Sequence, residues 1–390
     1  MINYILYDDV AIRPHLLPFT FTRPISEIRC GIMTLTEKWN HYLQQPLSFL
    51  TEPYLQSKYK LATSNNNIFI NGSVCATENI ANAVQNLAID EVLVADKNVV
   101  AYRSKLEVAN PLLELKVIEF SEKVILIQRV WDIFVENGNQ IKVDFEALTK
   151  NRTSQILTDP HTRTYAPEHI FIEEGAVIKA AILNAESGPI YIGKNTVIAE
   201  GSVVVGPFAL CEGSTINWGG KMRMNTTIGP HCKVGGEVSN SVFFGYSNKA
   251  HDGFLGNAVL GEWCNLGANT NNSNLKNDYT KVKIYDYATN NLEDSERLFC
   301  GLFIGDYTKA GISTMFNTGT VVGVNSNVFG AGFQAKHIPS FTWGGTAEGF
   351  TEYRLEKALE VAKETVKRRG LPFGETEVQI LRQVFETTKK

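Results

Sequence analysis

A histidine in a segment rich in asparagine and glycine is the first candidate for chemistry. His251 stands within residues 247–274, which read SNKAHDGFLGNAVLGEWCNLGANTNNSN. A neutral imidazole titrates near the working pH, so it can take the proton that an amine loses when it attacks a thioester. Backbone amides of the glycine-rich turns could stabilise the oxyanion. His251 is therefore a candidate general base; taken without further context, a structural or solvated histidine is the alternative. The other histidines lack such a context and are expected to be structural: His15, His41, His161, His169, His231 and His337.

The elements that position this segment show an internal repeat of six residues. Aliphatic or similar side chains recur at this spacing: Ile192, Ile198, Val204, Leu210, Ile216, Met222, Ile228 and Val234. A period of six fits a three-sided coil in which each side is a short strand and a turn, with one side chain per side pointing inward. The alternative is a β-sandwich, whose strands recur every ~8–12 residues. The spacing favours a β-helix.

The repeat is interrupted just before His251. After a phase slip between Val234 and Val242 the period resumes, with Asn248 out of register, and it passes through Val242, Phe254, Leu260, Leu266, Ile304, Phe316, Val322 and Val328. A break in a solenoid is where a side chain can project away from the packed core. We therefore expect an exposed imidazole at this point.

Glycine usage and local patterns predict three regions. Most of the 31 glycines follow residue 170. Residues 1–160 are predicted to form an α/β domain with a partly parallel sheet, because strand-like runs at 3–7, 67–70, 91–95 and 123–127 alternate with helix-like runs at 31–43 and 79–87. Residues 161–345 are predicted to form the β-helix. Residues 346–390 are predicted to form helices, at about 355–366 and 376–385, that cover its open end.

The composition limits the classes of binding partner that the protein is expected to have. With 37 basic and 41 acidic side chains the formal net charge is -4, which favours small molecules over nucleic acid or a membrane surface. The six cysteines are scattered singly, as expected of reduced core residues rather than of disulfides or a zinc site. The beginning of the chain lacks the pattern of a signal peptide, and no apolar run is long enough to span a bilayer. We expect a cytoplasmic protein.

The hexapeptide pattern resembles the left-handed β-helix acyltransferases. Residues 237–278 in particular resemble the acetyltransferase domain of the bifunctional enzyme that makes UDP-N-acetylglucosamine. The resemblance implies that His251 is the catalytic base, that Asn265 orients the base or binds the sugar, and that Asn274 binds substrate. Ser313, within GISTMFNTGTVVG at 311–323, is matched to the acetyl-CoA channel; the alternative is that it forms another corner of the repeat. It further implies an amino-sugar phosphate acceptor and a homotrimer with sites between neighbouring solenoids.

Several positions depart from this family. Ser239 stands where the family has a lysine that grips the sugar phosphate, and the phosphate-binding arginine expected within 205–213 is missing. Phe254 and Leu275 replace family tyrosines, and residues 281–297 form an insertion. Lys249 is our candidate for the phosphate contact, with Lys221, Arg223, Lys233 and Lys281 as other options; the alternative for each is a solvated surface cation. Two other functions stay open: O-acetylation of a sugar in a surface polysaccharide pathway, and a non-catalytic assembly that binds a nucleotide-sugar.

The N-terminal region resembles a nucleotidyltransferase domain in a divergent form. The segments that carry this resemblance are LPFTFTRPISEIRCGIMTLTEKW at 17–39 and IFINGS at 68–73. The usual glycine-rich phosphate loop is absent, so Arg13, Arg23 and Lys38 are the candidate phosphate contacts for UTP. Ser73 stands where the family has a magnesium-binding aspartate; Asp8 or Asp9 could replace it as a ligand of Mg²⁺. Nucleotidyl transfer and a domain that only binds nucleotide-sugar or supports the trimer remain equal alternatives.

Overall fold

A computed structural model of the chain describes residues 2–105 and 115–389. Two compact units are present. Unit 1 comprises Met1–Leu16, Thr22–Ile28 and Met33–Arg129, and unit 2 comprises Leu17–Phe21, Arg29–Ile32 and Val130–Lys390. The structure thus groups residues 130–160 with the β-helix that follows them.

Unit 1 contains a mixed six-stranded sheet. Its strands are β1 (Asn3–Tyr7), β2 (Leu47–Leu50), β3 (Asn67–Asn71), β4 (Glu91–Ala95), β5 (Asn98–Ser104) and β6 (Lys116–Glu119), in the order β2-β1-β3-β5-β4-β6. β1 runs parallel to β2 and β3, and β4 parallel to β6, whereas β5 is antiparallel to both of its neighbours. The predicted partly parallel sheet is confirmed. The strand predicted at 123–127 is wrong, because this run makes one isolated bridge, from Leu126 to Val74.

Two helices complete unit 1 at positions close to those predicted. Helix α1 (Leu35–Leu43) begins with a capping box in which Thr34 accepts from the amide of Glu37 and the Glu37 carboxylate accepts from the amide of Thr34. Helix α2 (Glu78–Gln85) begins at the N-cap Thr77. Trp39 of α1 is fully buried with Ile68, Ile70 and Val84 in the core of the unit.

Unit 2 is built on a parallel β-helix of about ten turns with three faces. Face 1 contains Arg163–Tyr165, Ile182–Asn184, Val203–Val205, Lys221–Met222, Glu237–Ser239 and Phe254–Gly256, followed by the pair Asn271–Asn272 and Met315–Phe316. Face 2 contains Ile170–Ile172, Ile190–Ile192, Phe208–Leu210, Thr226–Ile228, Val242–Gly245, Val259–Glu262, Leu302–Ile304, Thr320–Val322 and His337–Ile338. Face 3 contains Val177–Ile178, Val197–Ile198, Thr215–Ile216, Lys233–Val234, Asn248–Lys249, Asn265–Leu266, Lys309–Ala310, Asn327–Val328 and Thr342–Gly345, and it ends with the antiparallel Gly349–Glu352. The predicted left-handed β-helix is confirmed.

The core of the β-helix is the stack of side chains that the six-residue repeat identified. All eight predicted positions from Ile192 to Val234 are fully buried and belong to one apolar cluster. Because each such aliphatic side chain contributes about 1.5–3 kcal/mol when it is removed from water, the stack is the main source of stability in unit 2.

The phase slip shifts the inward-facing position by one residue. Ile228 pairs with Phe243, and Val238 pairs with Leu255, so Phe243 and Leu255 join the core cluster. The predicted core positions Val242 and Phe254 are therefore wrong. Adjacent residues of a strand point to opposite sides, so a shift of one residue exchanges the inner and outer positions.

The insertion predicted at 281–297 contains an antiparallel hairpin between Lys283–Asp286 and Asn291–Asp294. Downstream, α4 (Leu355–Lys367) and α5 (Glu375–Thr388) confirm the predicted C-terminal helices. The ring of Phe385 in α5 meets Phe341 edge to face at 5.1 Å, which ties the helices to the last turns of the β-helix.

Helix α3 (Asp132–Thr149) was missed by the sequence analysis. Ile141 of this helix is buried against Ala209 and Cys211 on the outer side of face 2. A Cβ at Gly138 would lie 2.1 Å from Oδ1 of Asn225, so the glycine permits close approach of the helix to the β-helix.

All six cysteines are buried free thiols. No helix in the described ranges has the length and hydropathy needed to cross a membrane.

Candidate functional site

His251 lies in the turn that leads from face 3 to face 1. The residue is exposed, and its imidazole makes no hydrogen bond with any residue in the described ranges. The backbone beside it is held from two sides. The side-chain amide of Asn217 donates to the carbonyl of Ala250 at 2.8 Å, and Nζ of Lys249 donates to the carbonyl of His251 at 2.8 Å. The turn therefore presents a free imidazole on an anchored backbone.

Lys249 occupies an inward-facing position of the β-helix. It pairs in register with the core residue Val234, and its side chain is almost completely buried. Burial lowers the pKa of Lys249 to about 8, although the nearby Asp252 carboxylate opposes the change. The alternative of a solvated surface cation is wrong for Lys249, because the phase slip brings Lys249, rather than Asn248, to the inner side. Its role as a direct substrate contact stays a prediction.

Ser313 lies on the same corner of the β-helix as His251. The amide of Asn269 donates to the carbonyl of Asp252, and the amide of Ser313 donates to the carbonyl of Ala268, so the three turns follow one another along this corner. Oγ of Ser313 accepts from Nδ2 of Asn269 at 3.2 Å. With coils about 4.8 Å apart, the two turns lie about 10 Å from each other. This separation fits a site in which both residues contact one extended ligand.

Asn265 and Asn274 lie in different places relative to His251. Asn265 is an exposed residue of face 3, one coil beyond Asn248, whose Nδ2 lies 3.4 Å from Oδ1 of Asn265. Asn274 follows face 1 and donates to Oδ1 of Asn257 at 2.8 Å. Within one chain, Asn265 is near the turn of His251, whereas Asn274 lies at the opposite edge of face 1.

In unit 1 the predicted phosphate contacts are all buried. Arg13 forms an ion pair with Asp8, a longer one with Glu52 at 3.6 Å, and a hydrogen bond to the carbonyl of Arg23 at 3.3 Å. Arg23 is almost completely buried, and Lys38 is fully buried in α1. The structure thus brings Arg13 and Arg23 together beside an acidic partner. Nucleotide binding by these three residues stays a prediction.

The two aspartates after β1 have different surroundings. Asp8 is held by Arg13 and by the amide of Ile25 at 2.7 Å; burial raises the pKa of Asp8, although the ion pair with Arg13 opposes this. Asp9 is half-buried and lies 3.5 Å from Nδ2 of Asn71 at the end of the parallel strand β3. The hydroxyl of Ser73 donates to Oδ1 of Asn71. Asp9 has no ion-pair partner in the described ranges, and binding of Mg²⁺ by either aspartate stays a prediction.

The sequence analysis missed Asn217 as part of the candidate site. Asn217 is distant in sequence from Ala250, and a single asparagine at a repeat corner carries no signal of its own. It also gave no role to Lys309 and Arg369, which line a cavity with Asn248 and Asn265. Only the fold brings these residues together.

Comparison with known proteins agrees with this architecture. Residues 4–153 match the family described as sugar nucleotidyl transferase. The chain is 32% identical over 111 residues to the bifunctional protein GlmU of Methanococcus aeolicus, covering 27% of this chain and 25% of that protein. It is 27% identical over 167 residues to the bifunctional protein GlmU of Trichodesmium erythraeum, covering 40% and 34%. The chain thus spans about a quarter to a third of the length of these relatives.

A UDP-N-acetylglucosamine acyltransferase from Campylobacter jejuni is a similar solved structure, with 17% identity, a TM-score of 0.29, and coverage of 59% of this chain and 84% of that one. The fold and the family match define a class of protein with an N-terminal nucleotidyltransferase-like domain and a hexapeptide-repeat β-helix. Within that class, the chain is similar to GlmU proteins over part of its length.

Proposed function

We propose that the protein transfers an acetyl group from acetyl-CoA to the amino group of a sugar phosphate, with His251 as the general base. The sugar amine attacks the thioester carbonyl while the imidazole takes its proton. The C–S bond then breaks, the thiolate of coenzyme A leaves with a proton from the imidazolium, and an amide remains on the sugar. The observation that carries this proposal is the exposed imidazole on a turn anchored by Lys249 and Asn217.

The test follows free thiol release when the purified full chain is incubated with acetyl-CoA and a panel of acceptors. Glucosamine 1-phosphate, free glucosamine and N-acetylglucosamine distinguish N-acetylation of a phosphorylated sugar from O-acetylation. His251→Ala should reduce the rate about 10²–10⁴-fold, as expected when a general base is removed. His161→Ala is the matched control, since His161 is another exposed histidine of unit 2. Thiol release from no acceptor, with His251→Ala unchanged, would favour a non-catalytic assembly.

We further propose that the active assembly is a homotrimer whose sites use residues from two chains. The support is the sequence resemblance, which implies a homotrimer, and the position of Asn274 at the edge of face 1 opposite His251. A mixture of His251→Ala and Asn274→Ala chains, dissociated and reassembled together, should regain activity that neither variant has alone. Sedimentation would give the oligomeric state, and a monomer with full activity would exclude the shared site.

For unit 1 we propose sugar-phosphate nucleotidyl transfer from UTP, because residues 4–153 match the sugar nucleotidyl transferase family. Mg²⁺ would neutralise the nucleotide phosphates, with Asp9 as its protein ligand. The assay measures pyrophosphate release from UTP and N-acetylglucosamine 1-phosphate, with Asp9→Asn as the variant and Asp96→Asn, an exposed aspartate of unit 1, as the control. No release with any divalent cation would leave a domain that only binds nucleotide-sugar or supports the trimer.

A further inference from the structure

A cavity of about 400 Å³ lies between face 3 and the end of helix α4. Face 3 contributes Asn248, Asn265 and Lys309 to its wall, and the helix side contributes Thr365, Arg368, Arg369 and one carboxylate, that of Glu364. The wall is therefore rich in hydrogen-bond donors, with three cationic side chains around one space.

Two of these cations have no carboxylate partner. Nζ of Lys309 donates to the carbonyl of Trp263 at 2.8 Å, and Nη2 of Arg369 donates to Oδ1 of Asn248 at 2.9 Å. Neither side chain lies within ion-pair distance of an acidic group anywhere in the described part of the chain. Arg368 differs, since its Nε is paired with Glu364 at 3.1 Å. The cavity thus contains uncompensated positive charge.

The surroundings of Lys309 make its positive charge unfavourable. Burial lowers the pKa of Lys309 to about 8. A desolvated ammonium that is hydrogen-bonded to a single carbonyl lacks the counter-charge that normally accompanies a buried cation. An anion in the cavity would supply it, with Arg369 able to make a bidentate contact from the opposite wall.

We propose that this cavity binds the phosphate group of a small molecule, held by Lys309 and Arg369 with the amides of Asn248 and Asn265. Phosphate suits the site because its oxygens can accept from two cations and two amides at once. Whether the phosphate belongs to the acceptor sugar or to coenzyme A rests on the proposed function, whereas the site itself does not.

The experiment measures binding to the full chain by isothermal titration calorimetry at constant ionic strength. The probes are inorganic phosphate, glucosamine 1-phosphate against glucosamine, and coenzyme A against pantetheine. Arg369→Gln and Lys309→Met should each raise the Kd of the phosphate-bearing probe about tenfold or more, as expected for the loss of a charge-assisted hydrogen bond. Arg382→Gln is the matched control, because Arg382 is a surface arginine paired with Glu356 on the same pair of helices. Arg369 is only half-buried, so its variant keeps the test valid if Lys309→Met does not fold.

A preference for the sugar phosphate over the free sugar would assign the site to the acceptor. A preference for coenzyme A over pantetheine would assign it to the acyl donor. The proposal is overturned if no phosphate-bearing probe binds, or if Arg369→Gln binds as tightly as the wild type. Phosphate binding without acetyl transfer would keep this site and reject the proposed reaction. Acetyl transfer that is unchanged in Arg369→Gln and Lys309→Met would support the proposed reaction and reject this phosphate site.

Discussion

Replacing Lys249 by methionine should stabilise unit 2 at neutral pH. The folded chain holds the pKa of Lys249 at about 8 against 10.5 for the free side chain. A difference of about 2.5 units corresponds to about 3 kcal/mol by which the buried ammonium disfavours the folded state below pH 8. Methionine fills a similar volume without charge but loses the hydrogen bond to the carbonyl of His251, which is worth about 1 kcal/mol. The expected net gain at pH 7 is therefore about 2 kcal/mol.

The gain should depend on pH with a definite sign. Between about pH 8 and 10.5 the unfolded wild type still binds the proton that the folded wild type has released, so wild-type stability rises over this window. Lys249→Met has no such rise. The difference between the two proteins should therefore be largest at pH 7 and mostly gone at pH 10.

Urea unfolding at both pH values checks this expectation. Lys233→Met is the control, because Lys233 is an exposed residue on the adjacent coil of face 3, where the same substitution should change stability by less than about 0.5 kcal/mol. A loss of stability in Lys249→Met at pH 7, or an equal gain at both pH values, would refute the account of Lys249 as a buried, desolvated amine. In the thiol-release assay the same variant should turn over about tenfold more slowly, since the turn of His251 loses one anchor.

Three further substitutions, two in unit 2 and one in unit 1, each test a contact within one unit by urea unfolding. Gly138→Ala should destabilise α3 by about 1–3 kcal/mol, although alanine normally favours a helix, because its Cβ would meet Oδ1 of Asn225 at 2.1 Å. Burial alone would raise the pKa of Glu173. The hydrogen bonds from Arg152 and Tyr191 outweigh this effect and hold the pKa of Glu173 below its ordinary value. Stability contributed by Glu173 is thus present above about pH 4.5 and lost as pH falls, so Glu173→Gln should be less stable at pH 7 and equal to wild type in acid. Asp8→Asn should change the stability of unit 1 by less than about 1 kcal/mol at pH 7, because burial already disfavours the ionised carboxyl that pairs with Arg13. An unchanged midpoint at pH 7 in Gly138→Ala or Glu173→Gln, or a large loss in Asp8→Asn, would contradict the assigned contacts.

The fold could be predicted where the sequence repeats a strong local signal. Eight inward side chains at one spacing defined the β-helix, and the helical spacing after residue 354 defined α4 and α5. Helix α3 was not predicted, because Gly138 interrupts its pattern and its buried face includes polar residues such as Asn137 and Asp144. The false strand at 123–127 has an apolar sequence but pairs with the sheet only through a single bridge.

The candidate site could be predicted only in part. The exposure of His251 followed from the break in the repeat. The inward position of Lys249 could not be predicted, because a lysine is not expected among buried aliphatic side chains. Only the strand pairing with Val234 fixes the register. The bond from Asn217 to Ala250 joins residues that are neighbours only after two coils have stacked.

One shortened coil of the β-helix explains why the candidate site lies at the turn of His251. Eighteen residues separate Leu210 from its neighbour Ile228, but only fifteen separate Ile228 from Phe243. The loss shortens the corner at Gly235, where a Cβ would lie 2.5 Å from the carbonyl of Ala250. Because no side chain fills this corner, the amide of Asn217 reaches past it to Ala250. The same change of length turns Lys249 inward to the carbonyl of His251, so one shortened coil both exposes the imidazole and fixes the backbone that carries it.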